Sequence, residues 1–355
     1  MTSTCELRRG GVGDQKQSLH FRPGYRASLG PSVTDSSTPL FSLLNGEGAG
    51  VMLAAAAGDV AGGNSAIGYS AITQQATVVA YHLLRNDGVD RVLLGEEWKE
   101  LGADAENPSV YRSPSDGFLA WLDAISRGEG AATVEPSAEP ASRVYPVGVW
   151  FRRDPGRLVT AAISVARITH IDAATVVGAA AVAGAVAASS FAQVGRDLLQ
   201  GSAELVERAL AEIGREDYLF SRMDDARGLP VRLREAADWV TDPNIDLLKK
   251  VIEQGPPSSS EKPVVGIILA ASPSIEPYRL IEVAATIGGS EMASMVGAMV
   301  GARVGLRLWP WVVPNNTWFA EIGRRLVSGN RETRDIPVPY QVEERLTFGF
   351  DTRLA

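Results

Sequence analysis

The sequence of 355 residues has very little cysteine and no concentration of positive charge. Its single cysteine, Cys5, excludes an internal disulfide and a zinc site built from several cysteines. The net charge of -8 at pH 7 argues against nucleic-acid binding, which requires a clustered basic surface. Only five of the 34 basic residues are lysines, a bias typical of GC-rich bacterial genes. We therefore expect a bacterial protein with no nucleic-acid partner.

The sequence also lacks a membrane-spanning stretch rich in Leu, Ile and Phe. The nearly uncharged segment 176–194 has about the length of a span, but it consists mainly of Ala, Gly and Val. We interpret it as a helix buried on all sides. The first residues, MTSTCELRRGG, contain no apolar run typical of a signal peptide. These features predict a cytoplasmic protein with no membrane partner.

Apolar residues recur at helical spacing along most of the chain, as in ITQQATVVAYHLLR from residue 72 to residue 85. The pattern predicts further helices over 40–57, ending at Gly58, and over 264–272 and 275–287. No phosphate-binding P-loop, nucleophile elbow or dinucleotide-binding GxGxxG is present. We predict an all-α protein with a flexible N-terminal extension over 1–38, one helical domain over 39–335, and an extended C-terminal tail packed on the domain over 336–355.

The segment from Gly288 to Gly305, GGSEMASMVGAMVGARVG, combines a helical pattern with a row of glycines. Because Gly297, Gly301 and Gly305 are spaced four apart, they fall on nearly one face of a helix. A face without side chains allows a second helix to approach closely, although each interior glycine costs about 1 kcal/mol relative to alanine. Glu291 is the only acidic residue in this segment.

Four segments in order resemble motifs of the ADP-ribosylglycohydrolase family. Gly58 to Gly62, GDVAG, is similar to the family's GDALG, and Thr73 to Leu84 is similar to its TDDT followed by an apolar helix. Arg143 to Ala188 resembles the family's Arg-x-x-Pro-x-Gly, Asp-Pro and Thr-His elements, and Gly288 to Gly305 resembles GGDxDT with its GAxxGAxxG helix. The resemblance spans roughly residues 43 to 310. It implies a single orthogonal helical bundle that acts on an ADP-ribosyl group.

The resemblance also implies two Mg²⁺ ions that hold the ribose hydroxyls, with ligands from TDDT, from GGDxDT and from a glutamate after GDALG. In this sequence Gln74 and Gln75 replace the two aspartates of TDDT, and Ala66 stands at the glutamate position. No aspartate remains in the fourth motif, where Ser290 stands at an aspartate position in either alignment. Neutral ligands bind Mg²⁺ weakly. We predict that the dinuclear magnesium site is absent and that no cofactor is used.

Two acidic residues remain as catalytic candidates. Glu291 either stabilises a helix N-terminus, where a carboxylate is favoured by the helix dipole, or serves as a general base or an acceptor for ribose hydroxyls. Asp59 either fixes the following loop or supplies negative charge to an oxocarbenium-like transition state. The predicted substrate-binding residues are Thr73, Gln74, Gln75, Ser290, Gly288 and Gly289. The amides of Gln74 and Gln75 either fill the old metal cavity or bind sugar hydroxyls.

Several other polar or aromatic residues have a structural interpretation beside a functional one. His170, at a helix break, is either a hydrogen-bonded buried histidine or a catalytic group. Arg143 either holds loops together or meets a phosphate. Trp309, Trp311 and Trp318 either pack the C-terminal tail or stack on a base at the rim of the site.

Two functional hypotheses follow from the sequence. The first is a divergent ADP-ribosylglycohydrolase-like enzyme that cleaves an N-ribosyl bond of an ADP-ribosyl group or a related nucleotide without the two metals. The second is a catalytically inactive pseudoenzyme that binds a ribosyl nucleotide or a protein partner. Both predict a small-molecule nucleotide or ADP-ribosyl ligand, and neither specifies an oligomeric state.

Overall fold

The computed structural model describes residues 40–63, 68–102, 109–129, 135–215, 220–221, 223–242, 245–273, 275–307 and 309–348. These residues form sixteen helices and no β-strand, which confirms the predicted all-α class. The helices are α1 Leu40–Gly62, α2 Ala71–Asn86, α3 Arg91–Lys99, α4 Asp116–Ser126, α5 Glu139–Arg143, α6 Tyr145–Trp150, α7 Pro155–Ala166, α8 Ala173–Ser190, α9 Gly195–Ile213, α10 Met223–Arg227, α11 Leu229–Thr241, α12 Leu247–Glu253, α13 Lys262–Ala270, α14 Pro277–Val304, α15 Asn316–Ser328 and α16 Pro339–Phe348.

Short polar side chains cap the starts of several helices, among them α2 and α8. Ser70 caps α2 by accepting the backbone N–H of Ile72, and Asp172 caps α8 by accepting that of Thr175. Such caps satisfy backbone donors that the first turn of a helix leaves without partners. The start of α2 borders the candidate site, so its capping residues also shape that site.

Glycines allow α1 and α14 to pack with their backbones in contact. A Cβ added at Gly297 or Gly301 would overlap the backbone of Ala54 or Gly50 on α1, and one added at Gly50 would lie 2.5 Å from the Gly301 carbonyl oxygen. At such separations no side chain fits on either helix. The predicted close approach of a second helix to the glycine face is confirmed for Gly297 and Gly301.

Helix α8 lies in the interior of the protein. Nearly all of its residues are buried, in agreement with the helix predicted to be buried on all sides. By length and composition alone, α8 and α14 are each long and apolar enough to cross a membrane. In the fold, 89% of the α8 segment and 61% of the corresponding α14 window are buried against the protein itself. Their apolar surfaces are therefore used in packing.

Three sequence expectations are corrected by the structure. Helix α1 continues through Gly58 to Gly62, because Gly58 is a contact point against the backbone of Ala293 and not a helix stop. Helix α14 joins two predicted segments across a break at Gly289. The C-terminal tail contains the helix α16 where we expected extended chain, and its Glu343 is fully buried.

The predicted domain boundaries remain predictions. Residues 1–38, the predicted N-terminal extension, lie outside the described residues. The described residues between 40 and 348 form one compact unit, to which the described part of the C-terminal segment belongs.

Candidate functional site

A break in α14 forms one wall of the candidate site. Gly289 has φ 71° and ψ -163°, a conformation that side chains on other residues disfavour, and the helix resumes after it at Ser290 and Glu291. The end of α1 meets this break closely, since a Cβ on Gly62 would lie 2.5 Å from Gly289 C and Ser290 N. Both glycine motifs singled out in the sequence therefore meet at one place.

Beside this junction lies a cavity of about 350 Å³. Its walls come from the end of α1, the starts of α2, α5 and α13, the segment before α4 and the α14 break. Its lining contains serines, glycines, one lysine and two carboxylates, and none of the described lining residues is aromatic: Gly62, Gly63, Ser70, Ala71, Ile72, Ser113, Ser115, Glu139, Lys262, Gly288, Gly289, Ser290 and Glu291. The structure thus brings together four predicted site residues, Gly288, Gly289, Ser290 and Glu291.

Glu291 forms an ion pair at this cavity. Its Oε2 accepts a hydrogen bond from Lys262 Nζ at 2.6 Å, and both side chains keep about a fifth of their surface exposed, at 22% and 20%. Partial exposure weakens the attraction, because water screens it. The carboxylate predicted to act as a base is therefore held by a cation that a ligand can also reach.

Asp59 lies behind the cavity wall and not on it. Its carboxylate accepts the backbone N–H groups of Ser70 and Thr73 at 2.8 and 3.3 Å. It also accepts both hydroxyls, at 2.8 Å from Ser70 Oγ and 2.7 Å from Thr73 Oγ1. Burial raises the pKa of Asp59, and these hydrogen bonds oppose that rise. The geometry favours the loop-fixing interpretation of Asp59 and places Thr73 in the same structural cluster.

Gln74 points away from the cavity toward the C-terminal helix. Its Nε2 donates to Glu343 Oε2 at 3.0 Å and to the Val110 carbonyl at 2.9 Å, while its Oε1 accepts the Arg112 backbone N–H at 2.9 Å. Arg112 also pairs with Glu343 at 2.6 Å. Both polar atoms of the Gln74 amide are thus used inside the protein, to attach α2 to α16 and to the segment before α4, which favours a structural interpretation.

Gln75 lies directly behind a carboxylate of the cavity wall. Its Nε2 donates to Glu139 Oε1 at 2.6 Å, and its Oε1 accepts from Arg143 Nη1 at 2.5 Å. The second oxygen of Glu139 accepts a hydrogen bond from Ser115 Oγ, another cavity residue, at 2.6 Å. Gln75 itself is fully buried, so it reaches the cavity only through Glu139.

The sequence reasoning missed Glu139. It lies in a stretch rich in Gly, Glu, Pro and Ala, a composition typical of loops, whereas it begins the five-residue helix α5. One signal was available, because Glu139 precedes a proline suited to a helix start and stands four residues before Arg143. That spacing places a carboxylate and a guanidinium on one helix face.

His170 and the three tryptophans singled out in the sequence make contacts that stabilise the fold. His170 is buried, with its Nδ1 2.7 Å from Thr169 Oγ1, and burial together with the charge of Arg143 lowers its pKa to about 3. Trp318 donates to the Pro337 carbonyl at 3.1 Å and so attaches the segment before α16. Trp309 and Trp311 pack against the core and do not line the cavity.

The side-chain oxygens of Gln74 and Gln75, in the segment that resembles TDDT, face hydrogen-bond donors. Gln75 Oε1 faces a guanidinium and Gln74 Oε1 faces a backbone N–H, whereas a magnesium ligand directs its oxygen at the cation. Position 66, where the family's glutamate is expected, lies outside the described residues. Among the described residues no cluster of three His, Cys, Asp or Glu side chains has the arrangement of a metal site.

Comparison with known proteins agrees with the fold and the motifs. A solved structure titled "ADP-ribosylglycohydrolase-related protein complex" is similar to this chain with a TM-score of 0.54 and 14% sequence identity, over 81% of this chain and 99% of that one. At that identity the likeness concerns the fold alone. No curated protein sequence matches the chain. The model of the family described as ADP-ribosylglycohydrolase matches residues 44–335, and the protein therefore belongs to the ADP-ribosylglycohydrolase family.

Proposed function

We propose that this protein binds an ADP-ribosyl group or a related N-ribosyl nucleotide in the cavity beside the α14 break and hydrolyses its N-glycosidic bond without a dinuclear magnesium centre. Family membership supports the class of substrate. The observation that carries the proposal is the Glu139 carboxylate, which lies at the cavity wall and is held on one side by Ser115 and on the other by Gln75. We also propose that the protein acts in the cytoplasm.

A fixed carboxylate suits this reaction. When the C–N bond of an N-ribosyl group breaks, the electron pair leaves with the nitrogen and positive charge develops on the ribose ring. A carboxylate beside the ring stabilises that charge, and it accepts a proton from the water that adds to the anomeric carbon. Glu139 meets this need better than Asp59 because Glu139 lines the cavity, whereas Asp59 lies behind its wall.

The oxygen atoms that could bind metal at this site argue against two magnesium ions. Hard divalent cations need anionic oxygen ligands, and the amide oxygens of Gln74 and Gln75 already accept hydrogen bonds from a backbone N–H and from Arg143. Glu291 is neutralised by Lys262. We infer that the chemistry at this site proceeds with the side chains of the protein alone.

A second candidate function is binding without catalysis. It is favoured by the Lys262–Glu291 ion pair, because this pair neutralises one of the two cavity carboxylates, and by the hydrogen bonds on both oxygens of Glu139. A pseudoenzyme of this kind would bind the ribosyl nucleotide, or a protein partner at the same face, and release it unchanged.

The two functions are separated by measuring binding and turnover on the same variants. Calorimetry with ADP-ribose, with and without Mg²⁺, is expected to give the same affinity in both buffers. Hydrolysis of an N-ribosyl substrate is expected to fall at least about a hundredfold in Glu139→Gln, a loss in the range of one general acid–base group. Glu291→Gln is expected to change affinity more than turnover, because its carboxylate is paired with Lys262.

Glu343→Gln is the matched control, since Glu343 is also held by a glutamine amide and an arginine but lies outside the cavity. Binding that strengthens in Mg²⁺ would contradict the metal-free proposal. Tight binding with no turnover in the unmodified protein would identify the non-catalytic function instead.

A further inference from the structure

Arg143 is a buried cation with one carboxylate near it. Its side chain is completely buried, and its guanidinium lies 4.3 Å from the centre of the Trp98 ring. Burial lowers its pKa to about 10, so that it stays protonated at neutral pH. Within 4 Å, Glu139 is the only carboxylate of the described residues that pairs with it, at 3.7 Å between Nη1 and Oε1. A buried charge is stable only when such a partner compensates it.

Gln75 joins this cation to Glu139. An amide is suited to this position because one end accepts from the guanidinium and the other end donates to the carboxylate. An aspartate at position 75 has no hydrogen to donate, and its negative charge would repel Glu139. The replacement of an aspartate by Gln75 thus follows from the two partners that this residue has in the fold.

The three side chains form a relay from the interior to the cavity. Arg143 is at the buried end, Gln75 is in the middle, and Glu139 is at the cavity wall, where Ser115 holds its other oxygen. We propose that Arg143, acting through Gln75, is the fixed cation of this site and positions the Glu139 carboxylate toward the ligand. The protein thereby supplies with its own side chain the positive charge that a bound cation would otherwise bring. Arg143 and Gln75 are positioning residues, and the inference rests on the proposed function only where ligand binding is concerned.

The first test needs no ligand. Free energies of unfolding are measured for Arg143→Met, Glu139→Gln and the double variant. Because Arg143→Met leaves the Glu139 charge without compensation, the double variant is expected to lose clearly less stability than the sum of the two single losses. Replacing Glu139→Gln by Glu343→Gln in this cycle gives the control, for which near-additive losses are expected. Additive losses in both cycles would overturn the proposal.

The second test asks whether the relay acts through Glu139. ADP-ribose affinity is measured by calorimetry for Gln75→Met, Glu139→Gln and the double variant, with folding checked by thermal unfolding. We expect about a tenfold loss for Gln75→Met and no further loss when it is added to Glu139→Gln. A purely structural effect of Gln75 would instead lower affinity by the same factor on both backgrounds, and that result would refute the positioning.

The two tests also separate this inference from the proposed function. Should Arg143→Met fail to fold, the unfolding cycle is run with Gln75→Met, which keeps the buried cation in place. A wild-type protein that binds no ADP-ribose would remove the proposed function, while a coupled unfolding cycle would still support the relay. Normal ADP-ribose binding with an additive cycle would leave the function standing and remove the relay.

Discussion

The glycine contact between α1 and α14 predicts that the same change, glycine to alanine, lowers the stability of the protein at Gly297 and raises it at Gly266. In Gly297→Ala the new Cβ overlaps the carbonyl of Ala54, which is backbone and cannot rotate away. Overpacking of this kind costs up to about 3 kcal/mol, and the better helix propensity of alanine returns about 1 kcal/mol. The expected net loss is about 2 kcal/mol of the free energy of unfolding.

Gly266→Ala is the matched control, because Gly266 is also buried inside a helix. Its added Cβ would lie 3.5 Å from Met292 Cγ and 3.6 Å from Val296 Cγ2, which is ordinary van der Waals contact. Only the propensity gain of about 1 kcal/mol remains, so this variant is expected to be more stable than the wild type.

The assay is thermal unfolding followed by circular dichroism. For a chain of this size about 1 kcal/mol corresponds to roughly 2 °C, so Gly297→Ala is expected to lower Tm by about 4 °C and Gly266→Ala to raise it by about 2 °C. Equal shifts of the same sign in the two variants would refute the reasoning, because they would mean that the α1–α14 contact places no limit on side-chain size.

Three further predictions concern buried polar groups. In Asp59→Asn an amide NH₂ group, which donates, takes the place of a carboxylate oxygen that accepts the N–H groups of Ser70 and Thr73. Chemical denaturation is expected to show that the free energy of unfolding falls by about 2 kcal/mol, and an unchanged midpoint would contradict the loop-fixing interpretation. The pKa of His170 is lowered from 6.5 to about 3, so on acidification the imidazole takes up a proton in the unfolded chain before it does so in the folded protein. The stability contributed by the neutral imidazole is therefore complete above pH 6.5 and is lost toward pH 3, by up to about 1.4 kcal/mol per pH unit. Between pH 4 and 7 the free energy of unfolding of His170→Gln is expected to change less with pH than that of the wild type. An identical pH dependence in the two proteins would contradict the lowered pKa of His170. Glu343→Ala leaves Arg112 buried without its carboxylate, so a loss of about 3 to 5 kcal/mol is expected in denaturant titrations. Glu344→Ala, at the exposed neighbouring position, is the control that leaves the midpoint unchanged.

Local patterns in the sequence predicted the fold well. The helical periodicity, the glycine row and the four ordered motifs identified an all-α protein of this family, because each of these signals lies within a short stretch of chain. The same patterns misplaced the end of α1 and the shape of the tail. Gly58 was interpreted as a stop although its role is set by contact with Ala293, and α16 is fixed on the body by the long-range contacts of Glu343.

The candidate site was predictable only in part. Gly288 to Glu291 line the cavity, since a pair of glycines before a helix indicates a backbone break from sequence alone. Gln74 and Gln75 look equivalent in the sequence, yet one faces α16 and the other faces Glu139. Adjacent residues on a helix point in directions about 100° apart, and only the packed neighbours decide what each of them meets.

The sequence by itself determined that the chain is helical, that its glycines permit close helix packing, and that the neutral residues Gln74, Gln75 and Ser290 stand in the segments that resemble the family's motifs. These properties depend on residue type and local spacing. Only the tertiary structure decided that Glu139 lines the cavity, because Gln75 on α2 meets Glu139 and Arg143 on α5 only once the two helices are packed together. The stability of a buried charge depends on the groups that surround it, and the tertiary structure determines which groups those are.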